Sequence, residues 1–254
     1  MHSLCVILDD ARISWSCVPD NLKCEDLPSF VKEGHLQSLS SSKEWHDDVQ
    51  LADMVLILFN TPIYTLIDER DHYSILEKNI NPISGKAGTE QFDMDALLQF
   101  GARGAYRVQL PEELAIHLMP DATKTEHYIT HLIRELGMRS GLDGVHLRFG
   151  ASRILIVVVE ENKLLFCNQF DFQTSEEVIY FTLLAYEMTN SSTGTIPLYL
   201  YGQIEEDSSI YSNLRKYFKN VYFYSSPECL LPKYHKYWDH LSVHRKLRIE
   251  YAHH

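Results

Sequence analysis

No apolar run in the sequence approaches the ~20 residues that a membrane-spanning helix needs. The strongest, Ile154 to Val159, is short and rich in Ile and Val, which is the pattern of a buried strand. The N-terminus lacks a basic segment followed by an apolar stretch and a small-residue cleavage site, so no secretory signal is expected. Positive charge is in short supply. There are 23 Lys and Arg against 35 Asp and Glu, a net charge of −12. Binding to a phosphate backbone needs the opposite balance on at least one face, so no nucleic-acid partner is expected. Cysteine is sparse and odd in number, five in all, and no pair has C-x-x-C spacing. Cys5, Cys17 and Cys167 sit in apolar, strand-like runs, where a free thiol behaves as a small buried hydrophobe. Reduced thiols and a cytoplasmic location are the expectation. A G-x-S-x-G elbow is missing. Ser84-Gly85-Lys86-Ala87 is not a phosphate loop, because Ile80 stands where the first Gly should be and Ala87 where Ser or Thr should follow the Lys.

What is present is ample core material. The 254 residues are 45% hydrophobic and 23% charged, enough for one large domain or two of ordinary size. The chain opens as a hairpin, with Leu4–Leu8 and Arg12–Val18 flanking the turn-like Asp9-Asp10-Ala11. A polar stretch with Pro19, Pro28 and Gly34 follows, and then the loop-like run Ser38–Ser42. Ser42 is placed to cap a helix from Lys43. Met54–Phe59 reads as a buried strand, Asp68 as the cap of a helix to about Asn79, and 81–104 as loops around a strand. Tyr106–Leu110 is a further strand, Pro111 opens a short helix, and a linking helix is predicted from His127 to Arg139. Gly137, Gly141 and Gly144 then break the chain, which predicts domains at 1–140 and 141–254.

The second half is clearer. Val145–Phe149, Arg153–Val159 and Lys163–Phe172 are strands joined by tight turns. Thr174 and Glu177 have capping-box spacing before a helix whose predicted apolar face is Val178, Phe181, Ala185 and Met188. Strand Ile196–Tyr201, helix Ile210–Phe218 and strand Val221–Tyr224 complete a β-β-β-α-β-α-β order. The first half opens in the same way. Two such units in tandem predict an α/β, duplicated fold of two lobes, each a mixed sheet flanked by helices, with a cleft between them.

Specific segments add a resemblance. Leu147-Arg148-Phe149-Gly150-Ala151-Ser152, with the two strands after it, resembles the second-domain opening of pilus-assembly ATPases of the PilM type, where a strand ends in Asp-Ile-Gly. Met54–Tyr73, Leu164–Tyr186 and Leu198–Phe218 resemble a domain-of-unknown-function family found mostly in Bacteroidetes. Leu165-Phe166-Cys167-Asn168-Gln169-Phe170 and Leu200-Tyr201-Gly202 are the most specific parts. The resemblance implies the actin-like, ribonuclease H-like ATPase fold and covers most of the chain.

In that superfamily, the resemblance implies, two Gly-containing hairpin turns approach the phosphates, an acid in each helps hold metal, and a Gly-rich loop takes the adenosine. Here Asp9 can stand for the first acid, with Asp10 beside it, but Ala11 occupies a Gly position. The second turn keeps Gly150 and Ser152, with Arg148 in place of its acid. Gly202 is what remains of the adenosine loop. Asp9, Asp10, Arg148, Gly150, Ser152 and Gly202 are therefore vestigial cleft candidates. No catalytic residue, cofactor or metal is assigned, ATP binding is expected to be weak or absent, and a protein partner is expected. The alternative is a divergent ATPase or small-molecule kinase using Asp9 or Asp10. A cation at Arg148 also suits an anion bound without hydrolysis.

Two histidine pairs, His127 with His131 and His240 with His244, have i, i+4 spacing on expected helices. Thirteen histidines make such pairs by chance, and no third zinc ligand follows. From Lys233 to His254, basic residues alternate with Tyr234, Tyr237, Trp238 and Tyr251. That segment is read as a packed terminal helix with a solvated basic face, against the alternative of a base-stacking surface.

Overall fold

The structure, a computed structural model, describes residues 2–9, 12–19, 23–60, 64–68, 91–97, 100–108, 114, 123–137, 143–150, 152–224, 240 and 243–244. The chain divides into two compact units, Met1–Arg134 with Val243–His254, and Glu135–Ser242.

The first unit is built on β1 (His2–Asp9) and β2 (Arg12–Pro19), the expected hairpin, paired from His2–Pro19 to Asp9–Arg12. Next come β3 (Val31–His35), α1 (Lys43–Leu51) and β4 (Met54–Asn60). A three-stranded antiparallel sheet follows, β5 (Tyr64–Asp68), β6 (Gln91–Leu97) and β7 (Ala102–Val108), in the order β5-β7-β6. The chain then enters β8 (Thr123–His127) and α2 (Tyr128–Gly137). The main sheet runs β3-β2-β1-β4-β8, with β1, β4 and β8 parallel. Alternation decides its faces. Leu4, Val6 and Leu8 of β1, Ile13, Trp15 and Cys17 of β2, and Val55, Ile57 and Phe59 of β4 pack with Trp45 of α1. Ser42 caps α1 as expected, its Oγ accepting from the N–H of Trp45 at 3.3 Å. On the opposite face, His244 lies between the hydroxyls of Ser3 (3.0 Å) and Ser16 (2.7 Å), which ties the end of the chain to this sheet.

The second unit has β9 (Gly144–Phe149), β10 (Arg153–Glu160), β11 (Lys163–Asp171), α3 (Ser175–Met188), β12 (Leu198–Gly202), α4 (Ser209–Tyr217) and β13 (Val221–Phe223). This is the β-β-β-α-β-α-β order read from the sequence. Its sheet runs β11-β10-β9-β12-β13, and β9, β12 and β13 are parallel. Strand for strand, order and direction repeat those of the first unit, so each lobe is a mixed sheet with helices, as expected. The core joins Val145, Leu147 and Phe149, Ile154, Ile156 and Val158, and Leu198 and Leu200 to α3 and α4. The capping box is formed. Thr174 Oγ1 accepts from the N–H of Glu177, and the Glu177 carboxylate accepts from the N–H groups of Gln173 and Thr174.

Several local expectations are corrected. Val31–His35 is a strand where only a polar stretch was read. Asp68 ends β5, and the helix expected to follow it lies outside the described residues. His127 is the last residue of β8, so it does not share a helical face with His131. Met188 is 62% exposed. Ten residues beyond Val178, at 3.6 per turn, it has rotated about 80° off the buried stripe, which is Val178, Ile179, Thr182, Ala185 and Tyr186. The Ser84–Ala87 segment and nearly all of the basic terminal segment lie outside the described residues.

Candidate functional site

In an open α/β sheet, ligands collect beyond the carboxyl ends of the parallel strands. In the second unit those ends bring four nominated residues together. Phe149 and Gly202 are register partners at the ends of β9 and β12, and Arg148 pairs with Tyr201 one step back. The turn after β9 is a tight hairpin in which the N–H of Gly150 donates to the carbonyl of Arg153 at 2.8 Å, and the carbonyl of Ser152 accepts from Phe172 at 3.0 Å. Gly202 has φ +85°, and a Cβ there would run into the carbonyl oxygen of Phe149. Both facts demand glycine. The N–H of Gln203 then donates to that same oxygen at 2.9 Å. Gly202 is thus fixed by the close approach of the end of β12 to the end of β9.

Arg148 is 5% exposed. It shares the face of the sheet opposite α3 with His146 and Tyr201. His146 is fully buried, stacked on Tyr199 at 5.0 Å, with Tyr201 and Tyr224 at 6.3 and 6.4 Å. Burial pushes the Tyr199 phenol up, with smaller contributions from Tyr222 and Asp143. A guanidinium so placed contributes positive charge behind the turn and no metal-binding lone pair.

Asp9 belongs to the first unit, at the end of β1, paired with Arg12 on β2 and Asn60 on β4. Asp10 and Ala11 lie outside the described residues. The repeated topology fixes internal equivalences that the sequence did not reveal. The two-residue turn between Asp9 and Arg12 corresponds to the one between Gly150 and Arg153. Leu8, paired with Ile13, then corresponds to Phe149, paired with Ile154. It follows that Asp9 matches Gly150, and Arg148 matches Ile7, a buried apolar residue.

A second polar group sits at the junction of β8 and α2, where histidine spacing was its one mark in the sequence. Nδ1 of His131 is 3.1 Å from Glu126 Oε2, and the Arg134 guanidinium meets the other carboxylate oxygen. Arg134 also donates to the carbonyl of Ala96 at 2.9 Å. His127 is fully buried, stacked on Tyr64 at 4.5 Å and tilted against Tyr106 at 4.9 Å. Its Nδ1 accepts from the N–H of Ile129 at 3.2 Å. Among the described residues, no three His, Cys, Asp or Glu side chains gather as a metal site.

Residues 54–221 match the family described as a protein of unknown function, DUF3822. The chain belongs to the DUF3822 family. Among curated proteins none matches it. This DUF3822 chain is similar to a crystal structure from Bacteroides thetaiotaomicron, a protein with actin-like ATPase fold and unknown function. The two are 15% identical, the match covers 96% of this chain and 95% of that one, and the TM-score is 0.75. It is also similar to a chain of the PilM-PilN type IV pilus biogenesis complex, 12% identical over 98% of each chain, with a TM-score of 0.50. At such identities the likeness establishes the fold, which is actin-like. Among the described residues no helix is long and apolar enough to cross a membrane.

Proposed function

We propose that this DUF3822 protein is a non-catalytic actin-like scaffold that binds a protein partner in the reducing cell interior. One observation carries the reading. Where the resembling pilus-assembly proteins carry the acid of Asp-Ile-Gly, this chain carries Arg148 in one unit, and at the matching place in the other it carries Ile7. Phosphoryl transfer on this frame depends on metal and water held by carboxylates close to the phosphates. A buried cation opposes Mg²⁺, and an apolar side chain offers it nothing. The N–H of Gly150, spent on closing its own hairpin, is not directed at a ligand. A protein partner fits because the similar chain of the PilM-PilN type IV pilus biogenesis complex is itself part of a complex.

The competing reading is an ATPase or small-molecule kinase using Asp9 or Asp10. What supports it is that Asp9 is the last residue of β1, at the carboxyl end of a parallel strand. Phosphate release from MgATP, measured on wild type and on Asp9→Ala, separates the two. The scaffold predicts no steady release from either protein. Steady release that disappears in Asp9→Ala would establish the enzyme.

A further inference from the structure

The two units end their sheets differently. The outer strand of the first, β3, has five residues, among them Lys32, Glu33 and His35, and Lys32 is held by Asp48 at 2.7 Å. Short length and charge are what keep an edge strand from pairing with another chain. The outer strand of the second, β11, has nine residues, and the seven between Lys163 and Asp171 are uncharged. Among the described residues it closes the sheet on that side. A register shift between Val158 and Val159 sets Leu165 outside the ladder to β10 and leaves it 44% exposed.

The ladder also tells which backbone groups face outward. The N–H of Phe172 donates inward to Ser152. By alternation, Cys167, Gln169 and Asp171 turn their N–H and C=O groups away from β10. The N–H of Gln169 is met at 2.8 Å by its neighbour Asn168 Oδ1, a local bond that an arriving strand would replace. Apolar surface continues from this edge onto α3. Phe170 stacks on Phe181 at 4.3 Å, Phe181 packs edge-on against Tyr180 at 5.4 Å, and Tyr180 is 61% exposed with Leu183 one turn on.

We infer that β11 pairs antiparallel with β11 of a second copy of this chain, about a twofold axis through Cys167. The strand is complementary to itself. In that register Lys163 of each copy faces Asp171 of the other, Leu165 faces Gln169, and the outward N–H and C=O groups of the two Cys167 residues bond each other. Opposite charges at both ends and like chemistry at the centre are what an isologous interface requires. The two sheets become one of ten strands. Because the axis is perpendicular to the sheet, both copies of α3 lie on the same face, and their Tyr180 and Leu183 side chains approach across it.

Sedimentation or light scattering of the full chain tests it, with three variants. Wild type is expected at twice the mass of one chain. Gln169→Pro removes an outward donor while keeping the inward ladder, as proline does on edge strands, and is expected to be monomeric. Lys163→Glu and Asp171→Lys each set like charges opposite one another at both ends, and each should weaken the dimer about tenfold. Mixed in equal amounts, these two variants regain both opposite-charge pairs and should recover wild-type affinity as a heterodimer. Should Gln169→Pro fail to fold, the charge variants and their mixture decide. A wild-type mass of one chain up to about 100 μM, where even weak association registers, would overturn the inference. So would a dimer that the charge reversals leave unchanged, or one that the mixture does not restore.

Discussion

The two units share a sheet and differ in nearly everything the sheet does not dictate. Both run their five strands in the same order and directions, and both begin with a hairpin closed by a two-residue turn. Buried alternation on β1, β2 and β4 is matched by that on β9, β10 and β12. The differences lie where packing leaves freedom. Asp9 stands where the second unit has Gly150, and Ile7 where it has Arg148. A three-stranded sheet is inserted between β4 and β8, whereas β12 and β13 are joined through α4 alone. The outer strand is short and charged in one unit, long and apolar in the other. A core tolerates only sequences that fill it, which accounts for the likeness of the sheets, while turns and edges are free of that constraint.

The largest test of this comparison removes core from one unit at a time. Trp45 is fully buried against Trp15, with ring centroids 5.7 Å apart, and Trp45→Ala should cost about 4 kcal/mol. Leu147→Ala, in the second core, should cost about 3 kcal/mol. If the units are separate cooperative blocks, calorimetry should show each variant lowering a different transition. A single transition lowered by both would mean that the units unfold as one.

A smaller effect contrasts two glycines with positive φ. Gly101 (φ +59°) has open space where a Cβ would go, and Gly202 (φ +85°) has the Phe149 backbone. Gly101→Ala should cost about 1 kcal/mol from strain alone. Gly202→Ala should cost about 3 kcal/mol, because the strain is joined by collision with fixed backbone. Denaturant midpoints compare them. Equal costs would contradict the tight loop packing described for the second turn.

The helix caps come next. Ser42→Ala and Thr174→Ala should each cost about 1 kcal/mol, and only the second dismantles a reciprocal box. Backbone N–H donors at Gln173 and Thr174 hold the Glu177 carboxyl below the usual carboxylate range. Its contribution is therefore present above the unfolded value, about 4.3, and is lost as pH falls through the lower folded value. Thr174→Ala should narrow its stability gap to wild type in acid, while Ser42→Ala keeps its gap.

The smallest effect at neutral pH concerns one thiol in each unit. Burial pushes Cys17 up to about 12, reinforced by Asp48 and opposed by Lys32, and burial alone pushes Cys167 to about 12. Peptide mapping after native alkylation at pH 8 should find both unmodified. Their stabilising effect is complete below the unfolded thiol value of about 8.5 and is lost as pH rises toward the folded value. Equal labelling in native and denatured protein would contradict the shielding of these two thiols.

Much of this architecture was legible in advance, and the exceptions have physical causes. The second unit read cleanly because its strands alternate or run apolar and its turns are marked. Glu161 and Asn162, for example, have φ +52° and +58° at the β10–β11 turn. Of the missed strands, β3 and β8 are the outer strands of the first sheet, and β5 belongs to the small three-stranded sheet. Thr123-Lys124-Thr125-Glu126-His127 has no apolar period because its backbone is recruited by β4 rather than by its own side chains. Missing β8 put His127 on a helix. The nominated residues Arg148, Gly150, Ser152 and Gly202 do meet at one strand end. Their relation to Asp9 was hidden because an internal repeat preserved in strand register leaves little trace in residue identity.

The proposed scaffold role rests on Arg148 and Ile7 at the two matching strand positions, where neither supplies a carboxylate to a metal-bound nucleotide. Calorimetric titration with ATP, with and without Mg²⁺, tests it most directly. The account predicts binding no tighter than the millimolar range, about −4 kcal/mol, and no gain on adding Mg²⁺. Micromolar binding that appears only when Mg²⁺ is present would contradict it.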